Sequence, residues 1–300
     1  MRAFLDSDLF YSFRRSKLAV ASFAVALICV LGAAFAPLLA PHDPTDLASL
    51  SLMDSLRPPA FTEDGGWEFP LGTDNQGRDM LSAIMYGGRI SLLVGVCAVL
   101  FAFLTGMTIG LAAGYTGGAV DAVLMRIADI QLTFPAILIA LLVNGIAKSV
   151  FGNRLDSMSM LVVLVLAIGL SFWVQYARTV RGSVLIEKNK DYIAAAQLIG
   201  LPAPVIMLRH VLPNTTGPIL VIATINLALA IITEATLSFV GAGMPDTMPS
   251  LGTLIRIGNN YLFSGEWWIV AFPGIALAAL ILAINLLGDW LRDALNPKLR

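Results

Sequence analysis

The stretch Asp191–Asn214, DYIAAAQLIGLPAPVIMLRHVLPN, is unlike the apolar runs on either side of it. It carries three consecutive alanines, then Gly200, then Pro202 and Pro204, and it closes on Leu-Pro-Asn. Asp191 is expected to cap a helix N-terminus. Tyr192 to Ile199 then gives roughly two turns, and Gly200 sits where a left-handed C-terminal cap is wanted. Leu201-Pro202-Ala203-Pro204 turns the chain. Val205 to Leu212 makes a second short helix, which Pro213 and Asn214 are expected to stop. The reading is a helix-turn-helix hairpin. Ala194, Ala195 and Ala196 are read as one face of its first helix, slim and with little side-chain entropy to lose. Such a helix can enter a groove on another protein. Resting on lipid is the alternative, and it calls for a basic face and large apolar anchors. Neither is read in this helix, whose lysines, Lys188 and Lys190, precede it.

The surroundings are built for a bilayer. Of 300 residues, 57% are hydrophobic and only 13% charged, with a mean hydropathy of +0.81. A span needs about 20 mostly apolar residues, because the hydrocarbon core is about 30 Å thick. Six windows come close: about Leu18–Leu39, Ile90–Ala113, Ile130–Ile146, Met160–Ala177, Pro218–Val240 and Trp268–Leu287. The third is short and contains Pro135, which bends a helix but is tolerated if neighbours satisfy the freed carbonyl. The fold class is therefore all-α, a polytopic membrane protein of about six helices. A net charge of −1 suggests no nucleic-acid partner. Cys29 and Cys97 both lie in apolar runs, and His42 and His210 are far apart. No P-loop, HExxH or CxxC occurs, so neither metal nor triad chemistry has a foothold.

Lys and Arg set the direction. With the N-terminus inside, 13 of them fall on inner segments, among them Arg14, Arg15, Lys17, Arg178, Arg181, Lys188, Lys190 and Arg209. Six fall outside: Arg57, Arg78, Arg89, Lys148, Arg154 and Arg256. The positive-inside rule puts both termini in the cytoplasm. The first span ends in Ala34-Phe35-Ala36, which resembles a cleavage site, but its apolar run exceeds the usual signal-peptide core of about 7–15 residues. An uncleaved anchor is expected. The chain then divides into an inner tail (1–17), an anchor span (18–40), an outer loop (41–89), a five-span core (90–290) whose inner loop is 178–217, and an inner tail (291–300). The outer loop is acidic, and Gly77 to Leu92 within it reads as helix-like. Gly106, Gly110 and Gly114 form a doubled GxxxG, which lets helices approach closely, within the bundle or between subunits.

Ala194-Ala195-Ala196, three residues, Gly200 and then Leu212-Pro213 resemble the EAA loop of the membrane subunits of binding-protein-dependent ABC importers, E-A-A-x3-G-x9-I-x-L-P. Ala194 replaces its Glu and His210 its Ile. Further stretches resemble the C-type permeases of dipeptide and oligopeptide importers: LGTDNQGRD (71–79), GRISL (88–92), TEATLSFVG (233–241) and NLLGDWLRDALNP (285–297). The resemblance covers nearly the whole chain. It implies a type I importer transmembrane fold in a bacterial inner membrane. It implies that Asp191, Tyr192, Ala194, Ala195, Ala196, Gly200, Leu212 and Pro213 belong to a loop that docks on a cytoplasmic ATPase. Partners follow: two P-loop ATPase subunits carrying ATP and Mg, a second homologous permease, and an extracytoplasmic binding protein. The chain itself would bind no cofactor and catalyse nothing. Short peptides are the expected cargo, with glutathione or a nickel complex as alternatives.

Polar residues within the spans complete the reading. Glu234, in the outer part of its span, either lines a gate or serves as a hydrogen-bonded structural residue. Asn144, Gln175 and Asn226 line a pathway or bond neighbouring helices. Arg126 and Asp129, three apart, are expected to pair, as are Asp289, Arg292 and Asp293. An intramembrane enzyme would need paired catalytic groups at one depth. A secondary transporter or channel would favour an ionisable residue near mid-membrane or an inverted repeat. None is apparent.

Overall fold

A computed structural model describes residues 8–46, 50–152 and 156–295. Arg154 and the terminal basic residues Arg2, Lys298 and Arg300 of the charge count lie outside it, as do Asn296 and Pro297. The described residues are helical throughout apart from loops. Helix α1 (Asp8–Arg15) leads into α2 (Lys17–Ala34) and a short α3 (Ala36–Leu39). After a long loop come α4 (Met80–Thr116), α5 (Gly118–Leu132), α6 (Ala136–Phe151) and α7 (Ser157–Glu187). The hairpin holds α8 (Asp191–Leu198) and α9 (Ala203–Val205), and α10 (Leu212–Phe239), α11 (Leu251–Asn259) and α12 (Trp268–Leu295) follow.

The α4–α7 pair is the spine of the molecule. Gly106 meets Trp173 and Tyr176, Gly110 meets Ala177 and Val180, and Gly114 meets Val184. A Cβ on Gly110 would lie 2.8 Å from Val180 Cβ, and one on Gly114 2.9 Å from Val184 Cβ. The glycine stripe is thus spent inside the chain. Both numbers rise together along the contact, so the two helices run parallel. Parallel neighbours require a return passage between them. The α5–α6 pair supplies it, rising from Asp121 beside Arg181, past Gln131 beside Trp173, to Lys148, whose Nζ donates to Gly241 O at 3.3 Å. The pair is bent by 93° at Thr133–Pro135. The third expected span is therefore a broken one. Pro135 has no N–H and disfavours helical backbone at Phe134, so the break falls there. Among the described residues five helices are long and apolar enough to cross a membrane, six if the bent pair counts as one span.

α10 runs antiparallel to α4, with Gly95 against Ile231, and to α12, with Gly288 against Thr224. α2 packs along α12 and α4 through small residues such as Ala19, Ser22, Ala26 and Ala33. Half of the apolar window of α7 is buried within the chain against 17% for α2, so α7 is central and α2 peripheral.

α4 starts at Met80, ten residues before the expected core boundary, because Asp79 Oδ2 accepts from Ser82 N at 2.9 Å and caps it. Before it, residues 50–79 fold into a compact plug. Gly72 and Gly77 take φ of +80° and +77°, which only glycine adopts at low cost. Asp74 accepts from the backbone N–H of Gln76 (2.8 Å) and Arg78 (2.9 Å). The Arg78 guanidinium sits 3.3 Å from Asp74 Oδ2 and donates to Asp246 O at 3.0 Å. Both side chains are buried. Trp268 Nε1 donates to Thr73 O at 3.1 Å and joins the plug to α12.

Candidate functional site

The hairpin lies at the end of the bundle opposite the plug, where α7 ends and α10 begins. Its first helix begins one residue earlier than a cap at Asp191 would place it. Lys190 is the N-cap and makes no side-chain cap bond. Asp191 stands in the first turn, where a carboxylate favours the positive helix end. The three alanines do not share a face, because successive residues are turned about 100° from one another. Ile193 and Ala196 point inward, against a cluster that includes Val184, Ile206 and Val211. Ala194 and Ala195 point outward with Leu198, 89% exposed, and Ile199, 76% exposed. The large apolar anchors missing from the sequence reading are these two.

Gly200 takes φ +77°, and Leu201 N donates back to Ala196 O at 3.2 Å, closing a Schellman turn. The second arm differs from expectation. Pro213 does not stop it. Ile206–Val211 forms a π turn, in which Leu212 N reaches back five residues to Met207 O, and the chain runs on directly into α10. The wider turn accommodates a proline in the next turn without ending the helix. The hairpin is consequently continuous with a span on its far side.

One tyrosine ties these parts together. Tyr192 Oη donates to Glu187 Oε1 at the end of α7 and accepts from Asn214 Nδ2 at 3.0 Å. Asn214 Nδ2 also donates to His210 O at 2.8 Å. Lys190 Nζ lies 2.8 Å from Glu187 Oε2, and Lys188 Nζ donates to Gly114 O at 2.8 Å, at the last turn of α4. The Glu187 carboxylate holds the Lys190 ammonium above its ordinary value, while partial burial and the same carboxylate push the Tyr192 phenol up. Tyr192 on α8 is thus bonded to both α7 and α10. Glu187 and Asn214 were missed by sequence reasoning. The Glu187–Lys190 spacing of three was a visible signal for a local pair, but the reach of Asn214 depends on the hairpin being closed.

The remaining residues fall elsewhere. Glu234 is fully buried where α10 meets α4; its carboxylate accepts from Ser91 Oγ and Ser238 Oγ, each at 2.7 Å. Asn144 is buried and donates to Ala242 O. Asn226 is fully buried opposite the buried Tyr176. Gln175 is exposed on α7. Arg126 and Asp129 do not pair. Asp129 bonds Arg178 on α7 instead, as Asp121 bonds Arg181 one turn further along α7. Among the described residues no ion pair joins Asp289, Arg292 and Asp293. All three are exposed at a helix end, where water competes with weak pairing.

Residues 106–300 match the family of binding-protein-dependent transport system inner membrane components, and residues 7–59 match the N-terminal TM domain of oligopeptide transport permease C. The chain belongs to this family. The permease is 36% identical to the di/tripeptide transport system permease protein DppC of Pseudomonas aeruginosa, over 98% of this chain and 92% of that one. It is 38% identical to the dipeptide transport system permease protein DppC of Escherichia coli, over 98% and 93%. Among solved structures it is similar to the inward-facing MetNI methionine ABC transporter, with a TM-score of 0.56 at 20% identity, covering 72% of this chain and 98% of that chain. The fold is that of a type I importer membrane subunit. The permease is a multi-pass membrane protein of a bacterial inner-membrane transport system.

Proposed function

We propose that this permease forms half of the translocation pathway of an ATP-driven importer of short peptides. The near-full-length likeness to permeases named for dipeptide transport carries this reading. A second, homologous permease completes the pathway, and an extracytoplasmic binding protein delivers the peptide. Two cytoplasmic ATPase subunits hold ATP and Mg; this chain holds no cofactor and performs no catalysis. The hairpin is the coupling element. Its outward face, Ala194, Ala195, Leu198 and Ile199, is small at one edge and apolar at the other, as suits a socket in a neighbouring protein. The Tyr192 tether then converts nucleotide-driven movement of the socket into movement of α7 and α10, which is coupling through a rigid two-position element.

In this reading the termini and the hairpin are cytoplasmic and the plug is outside. A cysteine at Asp64 should react with an impermeant thiol reagent in intact cells and one at Lys190 should not; reversed labelling overturns the topology. The function is tested by reconstituting the full transporter in vesicles with a radiolabelled dipeptide. Accumulation should require ATP hydrolysis and the binding protein. Concentrative uptake without hydrolysis, or none of any peptide by an assembled and ATP-hydrolysing complex, defeats the proposal.

A further inference from the structure

On the plug side of the bundle a cavity of about 500 Å³ opens between α4, the start of α7 and the loop at Thr247–Pro249. Small-molecule sites fall in the range of about 300–1,000 Å³. Its walls are mostly apolar: Ile90, Leu93, Met158, Leu161, Met248 and Pro249. Tyr86, Arg89, Ile90 and Leu93 reach it from one face of α4, at positions i, i+3, i+4 and i+7. Among the described residues Arg89 is the single charged one lining it, and Arg89 is exposed, with no ion pair or hydrogen bond to any of them. This contrasts with three other arginines of the same side. Arg57 pairs with Asp54 and Glu68, Arg78 with Asp74, and Arg256 with Asp246. The carboxylate of Asp43, nearby, is already committed to the N–H and hydroxyl of Thr45, at 2.9 and 2.6 Å, and those bonds hold it below the ordinary carboxylate range.

A lone guanidinium over apolar walls selects an anion carried on an apolar body. Its planar fork matches a carboxylate with two parallel hydrogen bonds. We propose that Arg89 receives the C-terminal carboxylate of the peptide in transit, while the walls accept its side chains without regard to their identity. The proposal rests on the peptide reading above. It makes Arg89 a specificity-determining residue that separates free peptides from amidated or otherwise blocked ones. A phospholipid phosphate offers the same chemistry and is distinguished by experiment.

The test uses the complete transporter in vesicles, with Cys29 and Cys97 replaced by serine and Met158→Cys as reporter. Alkylation of the reporter is timed with and without trialanine or trialaninamide, in phosphatidylcholine alone and with added phosphatidylglycerol. Trialanine should slow alkylation in both lipids, and trialaninamide should not. Arg89→Gln should weaken protection about tenfold, the scale expected for lost charge-assisted bonds, and Arg89→Lys should retain part of it. Both variants are checked for assembly by co-elution with the partner subunits. Equal protection by the amide, no protection, or protection that follows phosphatidylglycerol instead of peptide overturns the site. ATP-driven uptake of trialanine by the unsubstituted transporter is measured in parallel. If uptake is absent, the peptide reading itself falls; if uptake is present without the Arg89 pattern, only the carboxylate site falls.

Discussion

Ser91 on α4 donates its hydroxyl to the Glu234 carboxylate on α10 at 2.7 Å, across 143 residues of sequence. The other carboxylate oxygen accepts from Ser238, and Ser91 Oγ in turn accepts from Leu251 N at 3.3 Å. One acid thus pins α4, α10 and the start of α11. Glu234→Leu strands two buried hydroxyls, each costing about 1–3 kcal/mol, whereas Glu234→Gln keeps an acceptor and most of the stability. The thermal midpoint of the purified complex checks this. A leucine variant as stable as the parent would free Glu234 for a role in the pathway.

The α4–α7 contact has no room for side chains at Gly110. Gly110→Leu should reduce the yield of assembled protein several-fold, since overpacking costs about 1–3 kcal/mol or more. Gly32→Leu on α2, where a Cβ meets nothing within 4 Å, should be tolerated. Detergent-resistant complex per cell, compared for the two variants, decides it.

Tyr192→Phe leaves the ring in place and removes only the hydroxyl that joins Glu187 to Asn214. A hydrogen bond to a charged group is worth about 1.5–3 kcal/mol, so transported peptide per ATP hydrolysed should fall about tenfold while ATPase activity persists. Asn214→Ala should lower the same ratio less. An unchanged ratio in Tyr192→Phe would show that the tether does not transmit movement.

Burial pushes the Asp74 carboxyl above its ordinary range, against the pull of Arg78. A carboxyl raised in the folded state binds its proton more readily there than in the unfolded chain. Its charged form therefore weighs against folding, and that cost is relieved as pH falls. Arg78→Met strands the charge and should cost about 3–5 kcal/mol near neutral pH, with the loss shrinking on acidification. Asp74→Asn should cost less, because the guanidinium keeps its bond to Asp246 O. Unfolding of the two variants at neutral and mildly acidic pH makes the comparison.

Much of this architecture was legible in the sequence. Long apolar runs report helices directly, because a backbone in lipid must satisfy its own hydrogen bonds. Gly200 was readable as a left-handed cap from its place after two helical turns. Pro135 announced a bend, though not its 93° size. The hairpin's second arm was misjudged because a proline's effect depends on the turn before it. The π turn at Ile206–Val211 is a response to packing, which local sequence does not encode.

Charge partners divide along the same line. Spacing suggested Arg126 with Asp129, but the bent α5–α6 passage lies along α7 and offers Arg178 a better angle. Hydropathy and proline placement by themselves determined that this chain is helical, membrane-embedded and interrupted by one hairpin. Those properties are local, set by each residue's preference for lipid or for particular backbone angles. Only the tertiary structure decided that α4 and α7 pack against each other, that Tyr192 joins two spans and that Glu234 faces Ser91. Such contacts join residues distant in the chain, and their energies exist only once the helices are packed.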